Sequence, residues 1–370
     1  MKILVVGGGI IGCATALALA RAGCAVTLLE RGTPGSEASS AAAGILAPIG
    51  ESADTAFAKL ALESWRRYPD VVRDLREVTG IDVEYVTRGT IYPLATAEEV
   101  RNAETRTRHA WAHEMGIEAW DAADLRSHEP SLSPKVRGAM FVRGDHWVNN
   151  QRLVVAYAQA AVAAGVGLIT GAAVTRVIVE DARARGVYAE GERYDADAVL
   201  LAAGAWTGAL AESFGGRLRV EPRRGQMAAL THVPPVLVHA VHAQDVYLVP
   251  RPSGELLIGA TVEKVGFQRA VTATGIATLL AAAIGMVPGL ANLPISRTWY
   301  GFRPWAPDSL PILGPWPGID GLFVATAHYR NGILLAPVTA RLMTEWMTVG
   351  RPSLDVKDFL PDRFIKDRVI

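Results

Sequence analysis

Three glycines and a glutamate near the start of the chain carry its most legible chemistry. In Lys2-Ile-Leu-Val-Val-Gly7-Gly8-Gly9-Ile10-Ile11-Gly12 an apolar run ends in Gly-x-Gly-x-x-Gly, and Ala25-Val-Thr-Leu-Leu-Glu30 follows at the spacing of a second strand. Gly7 permits the tight turn and Gly9 lets backbone approach a pyrophosphate. Gly12 lets a helix pack on its strand, so that phosphates meet the positive end of that helix. Glu30 closes the second strand, where a carboxylate accepts hydrogen bonds from ribose hydroxyls. An acid there disfavours the extra phosphate of NADP and leaves FAD and NAD. Beyond Arg31, a loop leads into Ser39-Ser40-Ala41-Ala42-Ala43-Gly44-Ile45. Such small side chains let backbone run against a ligand, and the two hydroxyls could bind phosphate oxygens; the stretch reads equally as an Ala-rich helix start.

These residues need an α/β scaffold to hold them, and the rest of the chain is consistent with one. With 370 residues, half of them hydrophobic, the chain can bury a large core divided between two domains. Lys plus Arg and Asp plus Glu both number 37, so no global charge draws it to nucleic acid or anionic membrane. Ile3 to Ala20 is uncharged and follows a lysine, as in a signal peptide, but contains four glycines. Ala22-Gly23-Cys24 imitates a lipoprotein cleavage site, with Arg21 where an aliphatic residue belongs. We expect no export signal, no membrane span and a cytoplasmic protein. The two cysteines, Cys13 and Cys24, are expected to flank the first helix as small apolar residues of a reducing compartment.

Periodicity predicts a helix over 55–80, strands over 83–94 and a charged helix over 97–116. Asn149-Asn150-Gln151 caps a helix that Gly165 stops. A strand pair is expected from 174–179 and 193–197 flanking a turn, and Ala198-Val-Leu-Leu is a strand buried on both faces that ends in Ala203-Gly204. Residues 217–300 fit an antiparallel sheet with a helix near 275–285, and a last helix runs from Ile333 to Val349. The fold class is therefore α/β: a Rossmann-like nucleotide domain (1–80, 145–215 and 300–370) interleaved with a smaller α+β substrate domain (81–144 and 216–299) that carries the antiparallel sheet.

Motifs along the whole chain resemble the D-amino-acid oxidase superfamily, most closely the glycine oxidases of the thiamine-pathway type. They are Gly7 to Gly12, Ser40 to Gly44, Ala203-Gly204, Arg224-Gly-Gln226, Tyr247-Leu-Val-Pro-Arg251, Gly259-Ala-Thr261, Gly301-Phe-Arg303-Pro304 and His328 to Pro337. The resemblance implies non-covalent FAD, with the backbone of Arg330, Asn331, Gly332, Ile333 and Leu334 near the flavin ring and Val174 near the adenine. It also implies an amino-acid carboxylate held by Arg303 with Tyr247, reoxidation by molecular oxygen, and a homo-oligomer.

A planar guanidinium fixes a carboxylate through two parallel hydrogen bonds, which supports Arg303 in that role. Its structural alternative is an arginine buried beside Asp308. Arg330 could serve substrate, flavin or a neighbouring carboxylate, and His328 reads as packing. Asp245 stands where the family has histidine, Val262 replaces a pocket methionine, and Trp305 is expected to lid the site; with Ile45 these residues line the expected substrate pocket. Glycine or sarcosine comes first as substrate, then small D-amino acids. A dehydrogenase of a D-amino or 2-hydroxy acid with another electron acceptor, and a binding protein with a dead site, are the competing readings. No metal is expected: His109 and His113 lack the glutamate of the zincin motif.

Overall fold

The computed structural model describes residues 1–48, 55–106, 110–231 and 234–364. Its first layer is a six-stranded sheet ordered Ile312–Pro315, Leu322–Thr326, Ala198–Leu201, β1 (Lys2–Val6), β2 (Ala25–Glu30) and Gly167–Thr170. All neighbours are parallel except the first pair. From β1 the chain crosses through α1 (Ile10–Arg21) to β2 on one side, while Ala198–Leu201 pairs on the other. The C-terminal end of β1 is thus a topological switch point, where parallel sheets open a crevice. Helices α1, Asn150–Ala163 and Gly332–Val349 bury one face of the sheet. The opposite face packs on a three-stranded antiparallel meander, Val174–Glu180, Arg183–Ala189 and Glu192–Asp195.

The second layer is an eight-stranded sheet ordered Ile295–Trp305, Glu221–Thr231, Glu255–Gly259, Tyr247–Pro250, Ala240–His242, Thr90–Leu94, Gly138–Val142 and Ile117–Trp120. Strand alternation divides its side chains. Ala228 and Leu230 pack toward the helix Ala273–Met286, whereas Met227 and Ala229 belong to the cluster on the other side with Ala43 and Trp147.

Several elements differ from the sequence reading, each for a local reason. The helix expected over 55–80 is two, Ala56–Trp65 and Tyr68–Thr79, because Pro69 in the first turn of the second starts a new helix. Of the strands expected over 83–94 only Thr90–Leu94 forms; Glu84 and Gly89 adopt positive φ and interrupt the rest. The 97–116 helix is Ala97–Arg106 and Ala110–Glu114, and His109 lies outside the described residues. The expected strand pair is a triplet, because Asp181 and Ala182 both turn at positive φ and release an additional strand. Cys13 sits inside α1 rather than flanking it, and burial pushes its thiol up to about 12. Strand Ile295–Trp305 crosses the boundary expected at 300 and pairs along its length with Glu221–Thr231. Among the described residues no helix is long and apolar enough to cross a membrane, and no cluster of His, Cys, Asp or Glu could hold a metal.

Asp145 is buried beneath this second layer and accepts a hydrogen bond from the Tyr92 hydroxyl at 2.6 Å. Burial pushes its carboxyl from 3.8 up to about 7. The folded chain thus keeps a proton that the unfolded chain releases, and Asp145's contribution to stability is lost as pH rises through about 7. Asp145→Asn is expected to exceed wild type by roughly 2 to 4 kcal/mol at about pH 8 and to approach it at about pH 4. Urea midpoints at the two pH values check this; a gap independent of pH would contradict it.

Candidate active site

The glycine turn works by contact distance. Gly7 has a φ of +107°, and a Cβ added at Gly12 would lie 1.9 Å from the Gly7 carbonyl oxygen. Helix α1 therefore begins directly over the end of β1. Its first turn has no acidic residue and no side-chain cap from Gly9, so its positive end faces the crevice. Glu30 is buried, and its two oxygens accept from Gly8 N–H at 2.6 Å and Gly32 N–H at 2.8 Å. Ser39 Oγ accepts from Ile10 N–H at 3.0 Å, which brings the 38–44 segment to the helix end.

That segment is held from below. Gly35 N–H donates to the Gly8 carbonyl at 2.8 Å, and Asn150 Nδ2 donates to the carbonyls of Ser39 at 2.7 Å and Ser40 at 3.0 Å. Arg251, also buried, donates to the carbonyls of Val148 and Ala43 and to Asn150 Oδ1. With neutral oxygens as its partners, burial pushes Arg251 down to about 10. Sequence reasoning took Asn150 for part of a helix cap; the cap is Asn149, whose side chain accepts from Arg152 N–H.

A cavity of about 800 Å³ joins these residues to the second sheet. At its nucleotide end lie Gly7, Gly9, Ile10, Ile11, Glu30, Arg31 and Val174, with Ser39, Ala42, Ala43, Gly44, Ile45, Ala203 and Gly204 along its wall. Arg31 stacks 3.7 Å from the Trp206 ring and pairs with Glu37 at 2.5 Å. The far end is lined by Asp245, Tyr247, Val262, Arg303, Arg330, Asn331, Gly332 and Ile333.

Glycines open that far end. A Cβ at Gly225 would lie 2.1 Å from Arg303 Nη1, and one at Gly259 would lie 2.5 Å from the Tyr247 hydroxyl. Arg303 donates to the Thr261 carbonyl at 3.0 Å and, among the described residues, pairs with no carboxylate. Asp308, the alternative partner, is taken by Arg363 at 2.7 Å. The Tyr247 hydroxyl donates to Met227 Sδ at 3.1 Å. Ala327 and Tyr329 adopt φ of 58° and 48°, strained values for residues with a Cβ. This turn is tied to the Arg303 strand by Tyr329 N–H and the Pro304 carbonyl at 3.0 Å, and it leaves Arg330 exposed toward the cavity.

Four expected residues do not line the cavity: Gly12, Ser40, Leu334 and Trp305. Gly12, within α1, faces the Gly7 carbonyl, and Leu334 is buried in the core. Trp305 is no lid. It lies about 7 Å further along the strand than Arg303, where the Arg223 guanidinium covers its ring at 3.8 Å and its indole donates to Ser309 Oγ at 3.0 Å. The sequence reading missed Tyr92, His242 and Met227, which do line the cavity. His242 sits edge-on to Tyr247 at 6.0 Å, and no sequence signal distinguishes it from an ordinary strand histidine. His328, read as packing, contacts Thr339 Oγ1 at 3.0 Å, and burial pushes it down to about 3.

The profile of the FAD dependent oxidoreductase (DAO) family matches residues 2–346. The chain belongs to that family. It is 37% identical to the glycine oxidase of Geobacillus kaustophilus, over 98% of this chain and 97% of that one. The crystal structure of the glycine oxidase from Geobacillus kaustophilus superposes with a TM-score of 0.92 at 35% identity, covering 97% of this chain and 98% of that one. The chain is also 37% identical to the bifunctional protein ThiO/ThiG of Synechocystis sp. (strain ATCC 27184 / PCC 6803 / Kazusa). It covers 54% of that protein with 98% of its own length, so it spans about half of that relative.

The cofactor of this FAD-dependent oxidoreductase is FAD, and the residues present fit it. The α1 terminus, with no acidic residue in its first turn, suits a pyrophosphate, Glu30 closes the nucleotide end, and the glycine-lined cavity is continuous from there to Arg303. Gly12→Ala forces α1 off the Gly7 carbonyl and is expected to cost about 1 to 3 kcal/mol, with a matching fall in acid-released flavin per chain. Gly285→Ala, at an open helical position, is the control and should be neutral or slightly stabilising.

Proposed function

We propose that this oxidoreductase converts glycine or another small amino acid or amine to its imine, which hydrolyses to the 2-oxo acid and ammonia, with O2 reduced to H2O2. The setting we propose is thiamine biosynthesis in the cytoplasm, as a homo-oligomer with non-covalent FAD. The observation that carries the reading is Arg303, a half-buried guanidinium on a glycine floor, facing Tyr247 in the cavity of an FAD enzyme.

Bound FAD supplies the redox chemistry, accepting the Cα hydrogen with its electron pair. The chain supplies placement. Arg303 offers its fork to the substrate carboxylate, and Tyr247 stands on the same face of the sheet, in register with Gly259 and Met227. The amine must be neutral to release hydride, and no cavity group needs to take its proton if it enters deprotonated.

Peroxide release across glycine, sarcosine, D- and L-amino acids and hydroxy acids tests the reaction; reduction of a dye without peroxide would favour a dehydrogenase. For the anchor, Arg303→Ala leaves a carboxylate unpaired at about 2 to 5 kcal/mol, a loss of roughly 30- to 5,000-fold in kcat/KM. Arg303→Lys should recover part of this. FAD content should stay near wild type in both, and activity within a few-fold of wild type would move the anchor to Arg330.

Burial pushes the Tyr247 phenol above its ordinary 10.0 and His242 below its ordinary 6.5, with Arg330 adding to the latter. His328, at about 3, is neutral at working pH. None of the three titrates between about pH 7 and 9.5. Activity should therefore rise with pH along a limb that follows the substrate amine, and profiles for two amines of different basicity should separate. Coincident limbs would point to an enzyme group.

A further inference from the structure

The helix Gly332–Val349 contains Pro337 in its second turn. Proline has no N–H, so the carbonyl four residues earlier, on Ile333, loses its ladder donor. The Tyr68 hydroxyl supplies that donor: it bonds the Ile333 carbonyl from a fully buried position 265 residues away in sequence. One residue on, Ser64 is inserted into the ladder itself. Its hydroxyl donates to the Leu334 carbonyl at 2.6 Å and accepts from Val338 N–H at 3.2 Å. Burial raises the Tyr68 phenol well above its ordinary value, so it remains a donor at any working pH.

The turn held in this way faces the cavity. Asn331, Gly332 and Ile333 line it, and the helix begins there with no acidic residue in its first turn and no side-chain cap. Reduction of bound FAD adds negative charge, which the N–H end of a helix stabilises. We propose that Tyr68, supported by Ser64, is a positioning residue that fixes the proline-interrupted first turn against the flavin and thereby sets the flavin's reduction potential. The proposal rests on the flavin ring lying at the Arg330 to Leu334 end of the cavity.

Anaerobic titration of the FAD-loaded enzyme against a reference dye tests it. Tyr68→Phe removes only the hydroxyl and should disfavour the reduced form by about tenfold, about 30 mV for a two-electron couple. Pro337→Ala restores the missing N–H, so Tyr68→Phe combined with Pro337→Ala should return to the potential of Pro337→Ala alone. A Tyr68→Phe potential equal to wild type, or a shift that Pro337→Ala does not remove, overturns the proposal. The potential is read without amino acid, so a failure of the amine-oxidase reading leaves this result interpretable.

Discussion

The site depends on one close approach, the backbone of Gly12 against the carbonyl of Gly7. Because no side chain separates them, α1 starts at the end of β1 and its N–H groups open onto the crevice at the switch point. The next contacts are built on that position. Glu30 bonds the Gly8 N–H, Gly35 bonds the Gly8 carbonyl, and Ser39 bonds the Ile10 N–H. Asn150 and Arg251 then hold the Ser39 to Gly44 backbone from beneath, using neutral oxygens, so the wall is rigid without a counter-charge to compete for ligand phosphates.

The second sheet solves a different problem, making room. Gly225, Gly259 and Gly301 lie on adjoining strands, and each lacks the Cβ that would collide with Arg303, Tyr247 or Ala41 respectively. The anchor side chains lie flat on the sheet in the space this leaves, and the Trp299 indole bonds the Ala41 carbonyl at 3.1 Å, joining the two layers. The strained turn at Ala327 and Tyr329 brings the last helix to the same place.

Sequence made the first βαβ unit and the buried strand Ala198–Leu201 legible because their signals are local: glycine spacing, a continuous apolar run, an acid at a strand end. Arg303 and Tyr247 were legible through motif likeness, and they share the far end of the cavity. What escaped notice depended on distant partners. Trp305 looked like a lid because it follows Arg303 so closely, but Arg223, on the paired strand two residues from its partner Glu221, covers its ring. The turn at Asp181 and Ala182 carries none of the glycine or asparagine that usually marks such a bend. Ser64 and Tyr68 resemble ordinary helix residues until Pro337, some 270 positions later, gives them a task.

The strand order has a consequence for how this molecule comes into being. Next to β1 lies a strand from the middle of the chain, and the Lys2 N–H reaches Asp197 across 195 residues. The helix that closes the cavity begins only at Gly332. During synthesis, therefore, β1 finds β2 at once but waits for its other neighbour, Ala198–Leu201, and the nucleotide crevice cannot be completed until the residues beyond Gly332 are made. Pairings of such separation are slow to form. Flavin capture then waits on that helix, and a nascent chain lacking it would leave uncovered the side of α1 on which it packs.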